Sequence, residues 1–104
     1  TDPTGYGGVI PGYSSLRQFE LLREAGFDAA ATVKIMTANG ATYLGRSADI
    51  GRIAPGLRAD LIAFAAPLDA SKPVLPDMAW TMKAGRAWDR AKILNAWKGQ
   101  VGLR

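Results

Sequence analysis

The segment that most constrains the fold reads DIGRIAPGLRADLIAF and covers residues 49–64. Its Pro55-Gly56 pair indicates a turn, because proline fixes φ and glycine accepts positive φ. Residues 51–53 are expected to form a short extended piece. The apolar run over residues 61–66 is typical of a strand that is covered on both faces. The segment therefore predicts that the chain changes here from helical to β structure.

The first helix is expected after a glycine-rich loop over residues 1–14. Ser15 and Gln18 have the spacing of a capping box, in which each side chain bonds an amide at the start of the helix. Gly26 stands where a helix C-terminus favours glycine. The helix is expected to present one apolar face, formed by Leu16, Phe19, Leu22 and Ala25.

Two further helices are expected before the turn. Asp28 is a favourable N-cap for a helix over residues 29–36, which are rich in alanine. Thr37 is expected to cap a third, short helix over residues 38–44, which Gly45 ends. Their small side chains predict close packing against another layer.

The C-terminal part has the pattern of a hairpin followed by a helix. Residues 67–77 contain three prolines and are expected to form a connecting loop. Strands over residues 79–83 and 86–88 flank Ala84-Gly85, which has the form of a two-residue hairpin turn. Alanine resists positive φ, so the sequence leaves the turn type open. Asp89 is expected to cap a last helix that presents Ile93, Leu94 and Trp97.

The composition excludes several kinds of site. The chain has no histidine and no cysteine, so its own residues can form neither a serine triad, a histidine-based metal site nor a disulfide. Residues 5–12 do not match a phosphate-binding loop, because Tyr13-Ser14 stands where that loop requires Lys-Ser. The aspartates are dispersed, and most occupy capping or turn positions rather than the clustered positions of a Mg²⁺ or Ca²⁺ site.

Charge and hydropathy limit the expected partners and location. The 104 residues carry a net charge of +4, and the basic residues are scattered along the sequence. A nucleic-acid interface usually has clustered basic residues with interleaved aromatic ones, so no nucleic-acid partner is expected. The longest apolar run is far shorter than the ~20 residues that cross a bilayer, so no membrane partner is expected. The lack of cysteine fits a cytoplasmic protein. Because the chain begins at Thr1 without methionine, we expect the native N-terminus and any targeting signal to lie upstream.

An ordered series of local patterns extends over nearly the whole chain, as far as Trp88. The patterns are Thr1-Asp2, Glu20-Leu21-Leu22 with Glu24-Ala25-Gly26-Phe27, Thr37-Ala38-Asn39 with Ala41 and Leu44-Gly45, Gly51-Arg52-Ile53-Ala54-Pro55-Gly56-Leu57-Arg58-Ala59-Asp60-Leu61, and Lys83-Ala84-Gly85-Arg86. In this order they resemble the C-terminal end of the amidohydrolase superfamily, and within it the imidazolonepropionase-like branch.

The resemblance implies an α+β chain that is the C-terminal part of a (β/α)8 barrel, with two to three helices, followed by strands of a small β-sandwich and a terminal helix. Residues 1–48 would be the barrel segment, with the end of strand 8, a loop and helices. Residues 49–104 would return into the sandwich and end in the C-terminal helix. Barrel enzymes carry their chemistry at the C-terminal ends of the strands, where Thr1-Asp2 would lie.

The resemblance also implies the chemistry. Such enzymes use a divalent metal, here expected to be zinc, to hydrolyse a C–N bond of an amide, cyclic amide or peptide-like small molecule with metal-activated water. Asp2 is the candidate catalytic residue and metal ligand, and it would carry a proton to the leaving nitrogen. Asp60 is expected to bond nearby backbone amides instead of reacting.

The remaining ligands implied by the resemblance are an HxH pair, a bridging lysine and further histidines, all of which would lie upstream of Thr1. We therefore expect this chain alone to bind no metal and to be inactive, with the remainder of the barrel as its partner. A non-enzymatic α+β interaction module, or a subunit that completes a partner, is the alternative. Its contact surface would be apolar, from Met78, Trp80, Met82, Trp88 and Trp97. In an amidohydrolase these residues would face the remaining protein, and the isolated chain would self-associate.

Overall fold

A computed structural model describes residues 13–99 of the chain. The described residues form a helical part, a connecting segment that we define as residues 46–60, and a β part that ends in a helix. The bounds are α1 Tyr13–Glu24, α2 Ala29–Lys34, a π-helical turn Ile35–Asn39, α3 Gly40–Tyr43, β1 Leu61–Phe64, β2 Met78–Lys83, β3 Arg86–Asp89 and α4 Arg90–Trp97. This confirms the α+β class. Within residues 13–99, no helix has the length and apolar character needed to cross a membrane.

Helix α1 begins earlier than its sequence predicts and buries less of its apolar face. The helix already includes Tyr13, so Ser15 lies inside its first turn and the predicted capping box at Ser15 and Gln18 is wrong. Phe19 is buried, with 1% of its surface exposed, whereas Leu16 is exposed. The predicted end at Gly26 is confirmed: Gly26 N donates to Arg23 O at 3.0 Å and Phe27 N donates to Leu22 O at 3.2 Å, the paired bonds of a Schellman motif.

One continuous helical stretch follows where two helices are predicted. The Asp28 side chain accepts a hydrogen bond from Ala31 N at 2.7 Å, which confirms it as the N-cap of α2. The predicted cap at Thr37 is wrong, because α2 continues through the π-helical turn into α3 without a break. The Thr37 hydroxyl instead donates to Val33 O, one turn earlier, at 2.6 Å. Gly45 ends the stretch as predicted, and its N–H donates to Thr42 O at 3.0 Å.

The β part is an antiparallel sheet in the order β1-β2-β3. Leu61 pairs with Met82 and Ile62 with Thr81, and a bulge shifts the register between Ala63 and Phe64. The prediction that this strand is covered on both faces is wrong for the described residues, because Ile62 is 57% exposed. Successive residues of a strand point to opposite faces, and the face that carries Ile62 lacks a covering layer within residues 13–99.

The hairpin between β2 and β3 resolves the turn type that the sequence leaves open. Ala84 has φ of +48° and Gly85 has φ of +82°, which identifies a type I′ turn. Asp89 ends β3, and its side chain accepts a hydrogen bond from Lys92 N at 2.8 Å, as predicted for the cap of α4. The loop over residues 67–77 is present as expected, and Ala65 N donates across its base to Asp77 O at 2.7 Å.

The core of the described residues is small and lies between α1 and the helical stretch that follows. Its buried members are Phe19, Ala29, Ala41, Ser14 and Thr32, of which Phe19 and Thr32 are fully buried. The Thr32 hydroxyl is satisfied because it donates to Asp28 O at 2.8 Å. Within residues 13–99, thirteen large apolar side chains remain exposed. Local hydrogen bonds thus determine much of the fold, and a single deep core does not.

Candidate functional site

The one catalytic and metal-binding residue that the sequence nominates, Asp2, lies outside the described residues. The structure therefore gives no position for its carboxylate, and its role stays a prediction. Within residues 13–99, acidic side chains do not form a group of three or more that could hold a metal ion.

Several described aspartates have structural contacts, as the sequence predicts. Asp28 and Asp89 cap helices α2 and α4. Asp69 accepts hydrogen bonds from Ser71 N at 2.9 Å and from Ser71 Oγ at 2.6 Å. These bonds favour the charged carboxylate and hold the pKa of Asp69 below its usual value. These carboxylates therefore stabilise helix caps and turns.

The connecting segment, residues 46–60, contains most of the sequence string that best identifies the chain. Its first turn is held by an ion pair between Arg46 and Asp49. The Arg46 carbonyl also accepts hydrogen bonds from Asp49 N and Ile50 N, each at 3.0 Å. At the other end of the segment, Arg58 N donates to Asp49 O at 2.9 Å. The segment is thereby closed into a loop.

Gly51 is the point where this loop contacts the helical part. It has φ of +98°, and a Cβ added there would lie 2.4 Å from the Cβ of Ala41 and 3.2 Å from Thr37 O. The backbone approaches so closely that only glycine fits. The prediction of an extended piece over residues 51–53 is wrong, because the chain bends at Gly51 and Arg52 to make this contact. The predicted turn at Pro55-Gly56 is confirmed by the bond from Leu57 N to Ala54 O at 3.2 Å.

Asp60 connects the end of the segment to the hairpin turn between β2 and β3. One carboxylate oxygen accepts a hydrogen bond from Ala84 N at 2.8 Å. The other accepts from Lys83 Nζ at 2.8 Å and from Arg58 Nη2 at 2.5 Å. Gly85 N donates to the carbonyl of Ala59 at 3.0 Å, directly beside these bonds. The carboxylate therefore holds the turn whose first residue, Ala84, has an unfavourable positive φ.

The electrostatics of Asp60 fit a permanently charged anchor. The guanidinium of Arg58, the ammonium of Lys83 and the Ala84 amide all favour the carboxylate, so the pKa of Asp60 lies far below its usual value. The same pair raises the pKa of Arg58. The structure thus confirms the expected bond from Asp60 to a backbone amide and adds two cationic partners that the sequence analysis missed.

A wide apolar groove of about 740 Å³ lies between the helical part and β1. Ile53, in the connecting segment, lines the groove and is 88% exposed. Other lining side chains come from both sides and include Val33, Met36, Leu44, Ile62 and Phe64. Few polar side chains line the groove, so its chemistry suits packing against another apolar surface more than catalysis.

Comparison with known proteins identifies the family of this chain. A family model described as "Amidohydrolase family" matches residues 2–97. The chain belongs to the amidohydrolase family. A search of curated proteins and a search of solved structures gave no match. The matched range starts at Asp2 and includes the whole connecting segment, so the amidohydrolase resemblance predicted from the sequence is confirmed at the level of the family.

Proposed function

We propose that this chain is the C-terminal segment of a cytoplasmic, metal-dependent amidohydrolase of the imidazolonepropionase-like branch. The complete enzyme would hydrolyse a C–N bond in an amide, cyclic amide or peptide-like small molecule. The observation that carries the proposal is the family match over residues 2–97. The ordered motifs of the sequence, from Thr1-Asp2 to Lys83-Ala84-Gly85-Arg86, support the same assignment.

The metal of this proposal belongs to the complete enzyme. The described residues do not fit a metal site by themselves, and the sequence has no histidine. We assign one ligand to this chain, Asp2, and the other ligands to the remainder of the barrel. A divalent ion, zinc in this proposal, would supply an activated water. The part of Asp2 would be to accept a proton and pass it to the leaving nitrogen.

The exposed apolar surface supports the proposed arrangement within a larger enzyme. The helical part would be the last helices of a (β/α)8 barrel, and the β part would belong to a small sandwich. Side chains such as Ile53 and Ile62, 88% and 57% exposed, would then be covered by the remaining protein. Soluble proteins seldom leave large contiguous apolar surface uncovered.

The proposal is tested by replacing Asp2 in the complete enzyme. We expect Asp2→Asn to lower kcat for amide hydrolysis by roughly 10²- to 10⁴-fold, the usual contribution of a positioned acid–base group. Asp77→Asn, which removes a charge from an exposed residue directly before β2, is the control and should leave kcat unchanged. Circular dichroism would verify that both variants fold. Amide hydrolysis by the purified 104-residue chain alone with added zinc would contradict the proposal.

The second candidate, a non-enzymatic interaction module, is favoured by the exposure of Trp88, which is 39% exposed on β3. Reading the coding sequence upstream of Thr1 distinguishes the two. An open frame with an apolar strand followed by HxH supports the enzyme, and a start codon directly before Thr1 supports the module. Light scattering gives a further test, because an enzyme segment with uncovered apolar surface should self-associate and bind a hydrophobic dye. A dye-silent monomer would count against the enzyme segment.

A further inference from the structure

An Asn-Gly pair lies inside the helical stretch that contacts the connecting segment. Asn39 is the last residue of the π-helical turn, and Gly40 is the first residue of α3. Asparagine is most prone to deamidation when glycine follows it, because the attacking backbone nitrogen is then unhindered by a side chain. The other asparagine of the chain, Asn95, is followed by alanine. The chain therefore has a single Asn-Gly pair, and this pair lies in folded helix.

Deamidation at such a pair needs water but no enzyme or cofactor. The backbone nitrogen of Gly40 loses its proton and bonds to Cγ of Asn39, while the bond from Cγ to the side-chain nitrogen breaks and ammonia leaves. Water then opens the cyclic imide. Attack of water at Cγ gives aspartate, and attack at the main-chain carbonyl carbon gives isoaspartate, in which the backbone passes through the side chain. Either product carries a new negative charge.

The helical backbone keeps the reacting atoms apart. Asn39 has φ of −68° and ψ of −39°, so the backbone must rotate out of the helix before the nitrogen of Gly40 can reach Cγ. The N–H of Gly40 is also engaged, because it donates a hydrogen bond to the carbonyl of Thr37. The Asn39 side chain itself is exposed to water. Backbone conformation, and not burial, is therefore what protects this pair.

The protecting carbonyl of Thr37 lies at the contact with the connecting segment. A Cβ added to Gly51 would lie 3.2 Å from Thr37 O and 3.3 Å from Cα of Ala38. The connecting segment thus packs directly against the peptide group that holds the N–H of Gly40. The helix is weak by itself at this point, because glycine is a poor helix former and the preceding turn is π-helical. The contact at Gly51 therefore supports the helix where its own propensity is lowest.

We propose that Asn39-Gly40 is a site of spontaneous deamidation that reacts only when the contact at Gly51 is released. The isoaspartate product would keep the contact released, because its additional backbone carbon breaks the register of the helical hydrogen bonds. Thr37, Gly40 and Ala41 also line the apolar groove, so the modification would alter that packing surface. The site is separate from Asp2 and does not depend on the proposed hydrolase activity.

The first test compares the deamidation rate of the full chain in buffer and in urea that unfolds it, at one pH. Mass spectrometry of a digest, with chromatographic separation of isoaspartate, follows Asn39, and Asn95 serves as the internal comparison. We expect Asn39 to react at least about tenfold more slowly in buffer, because only the locally open fraction can react. Asn95 should react more slowly than Asn39 in urea. Equal rates for Asn39 in buffer and in urea would overturn the proposal.

The second test addresses the contact at Gly51. Gly51→Ala should raise the rate in buffer about fivefold or more, the effect of weakening the contact by 1 kcal/mol or more. Gly56→Ala is the matched control, because its φ is also positive but no atom lies within 4 Å of the added Cβ. Its rate should stay within about twofold of that of the unaltered chain. Equal acceleration in both variants would overturn the link to Gly51.

Two measurements keep the proposal testable if Gly51→Ala does not fold. Hydrogen exchange of the Gly40 N–H in the unaltered chain reports the same opening, so its protection should match the slowing of deamidation in buffer within about threefold. Incubation should also lower the Tm of the unaltered chain but not that of Asn39→Gln, whose longer side chain forms the cyclic imide far more slowly. A larger mismatch, or an unchanged Tm after Asn39 has reacted, would overturn the proposal.

Discussion

Replacing Gly51 tests whether the connecting segment is fixed against the helical part. An alanine at this position must adopt φ of +98°, and its Cβ would lie 2.4 Å from that of Ala41. Gly56→Ala is the matched control, because φ there is +83° but no atom lies within 4 Å of the added Cβ. Both variants carry the same backbone penalty and the same effect on the unfolded chain. Only Gly51→Ala adds a steric clash.

The expected losses of stability follow from the backbone penalty and from the steric clash. A left-handed conformation costs a non-glycine residue about 1–2 kcal/mol. Alanine also reduces the conformational freedom of the unfolded chain, which offsets about 0.4–1 kcal/mol of this cost. Gly56→Ala should therefore lower the free energy of unfolding by about 0–1.6 kcal/mol. Overpacking typically costs a further ~1–3 kcal/mol, so Gly51→Ala should lower it by about 1–4.6 kcal/mol.

Urea unfolding followed by circular dichroism would measure both losses on the full chain. A double-mutant cycle with Ala41→Gly makes the assignment specific, because that change removes the atom that the new Cβ would meet. We expect a favourable coupling of about 1 kcal/mol or more between the two sites. Equal losses for Gly51→Ala and Gly56→Ala, with no coupling to Ala41, would refute the close contact between the segment and the helix.

Three further predictions concern the core, the hairpin turn and acid stability. Phe19→Ala should lower the free energy of unfolding, measured in urea, by about 3–5 kcal/mol, because Phe19 is buried. Leu21→Ala, on the exposed side of α1, is the control and should lower it by less than ~1 kcal/mol. Ala84→Asn should raise thermal stability by about 0.5–1 kcal/mol, because asparagine tolerates the positive φ of a type I′ turn, and a fall in Tm would contradict this. The lowered pKa of Asp60 means that its contribution is complete above the unfolded-state value near ~4 and is lost as pH falls toward the folded-state pKa. Asp60→Asn should therefore flatten the acid side of the stability profile, and Asp77→Asn should not.

The elements that could be predicted from sequence are those determined by a few consecutive residues. The cap at Asp28, the helix end at Gly26 and the turn at Pro55-Gly56 each depend on hydrogen bonds within about five residues. Local chemistry favours one conformation at each of these positions, so the pattern predicts the structure.

The predictions that are wrong depend on neighbours that are distant in sequence. Thr37 is a good cap in isolation, but it lies inside a continuous helical stretch that packs against Gly51 through its backbone. The apolar run of β1 is typical of a strand with two covered faces, yet Ile62 is exposed in the described structure. Capping and strand patterns report local preference, and tertiary contacts decide between competing preferences.

The candidate site shows the same difference between local contacts, which the sequence predicts, and distant contacts, which it does not. The sequence predicts that Asp60 bonds a backbone amide, and the bond to Ala84 N confirms it. The partnership of Asp60 with Lys83 spans 23 residues and exists only because β1 pairs with β2. The spacing of Arg58 and Asp60 could have indicated their ion pair, but no local signal could have indicated Lys83.

The string that identifies this chain as an amidohydrolase contains at least two residues with clear structural roles. Gly51 allows a close backbone contact, and Asp60 holds the hairpin turn. The chemistry of the proposed enzyme is assigned to Asp2, far from this string in the sequence. The structural role of Gly51 and the catalytic role of Asp2 should be separable by mutation. Gly51→Ala in the complete enzyme should lower stability, while the folded fraction keeps its kcat. Asp2→Asn should lower kcat with little loss of stability. If Gly51→Ala lowered kcat of fully folded enzyme as much as Asp2→Asn, the connecting segment would have a catalytic function that its contacts do not indicate.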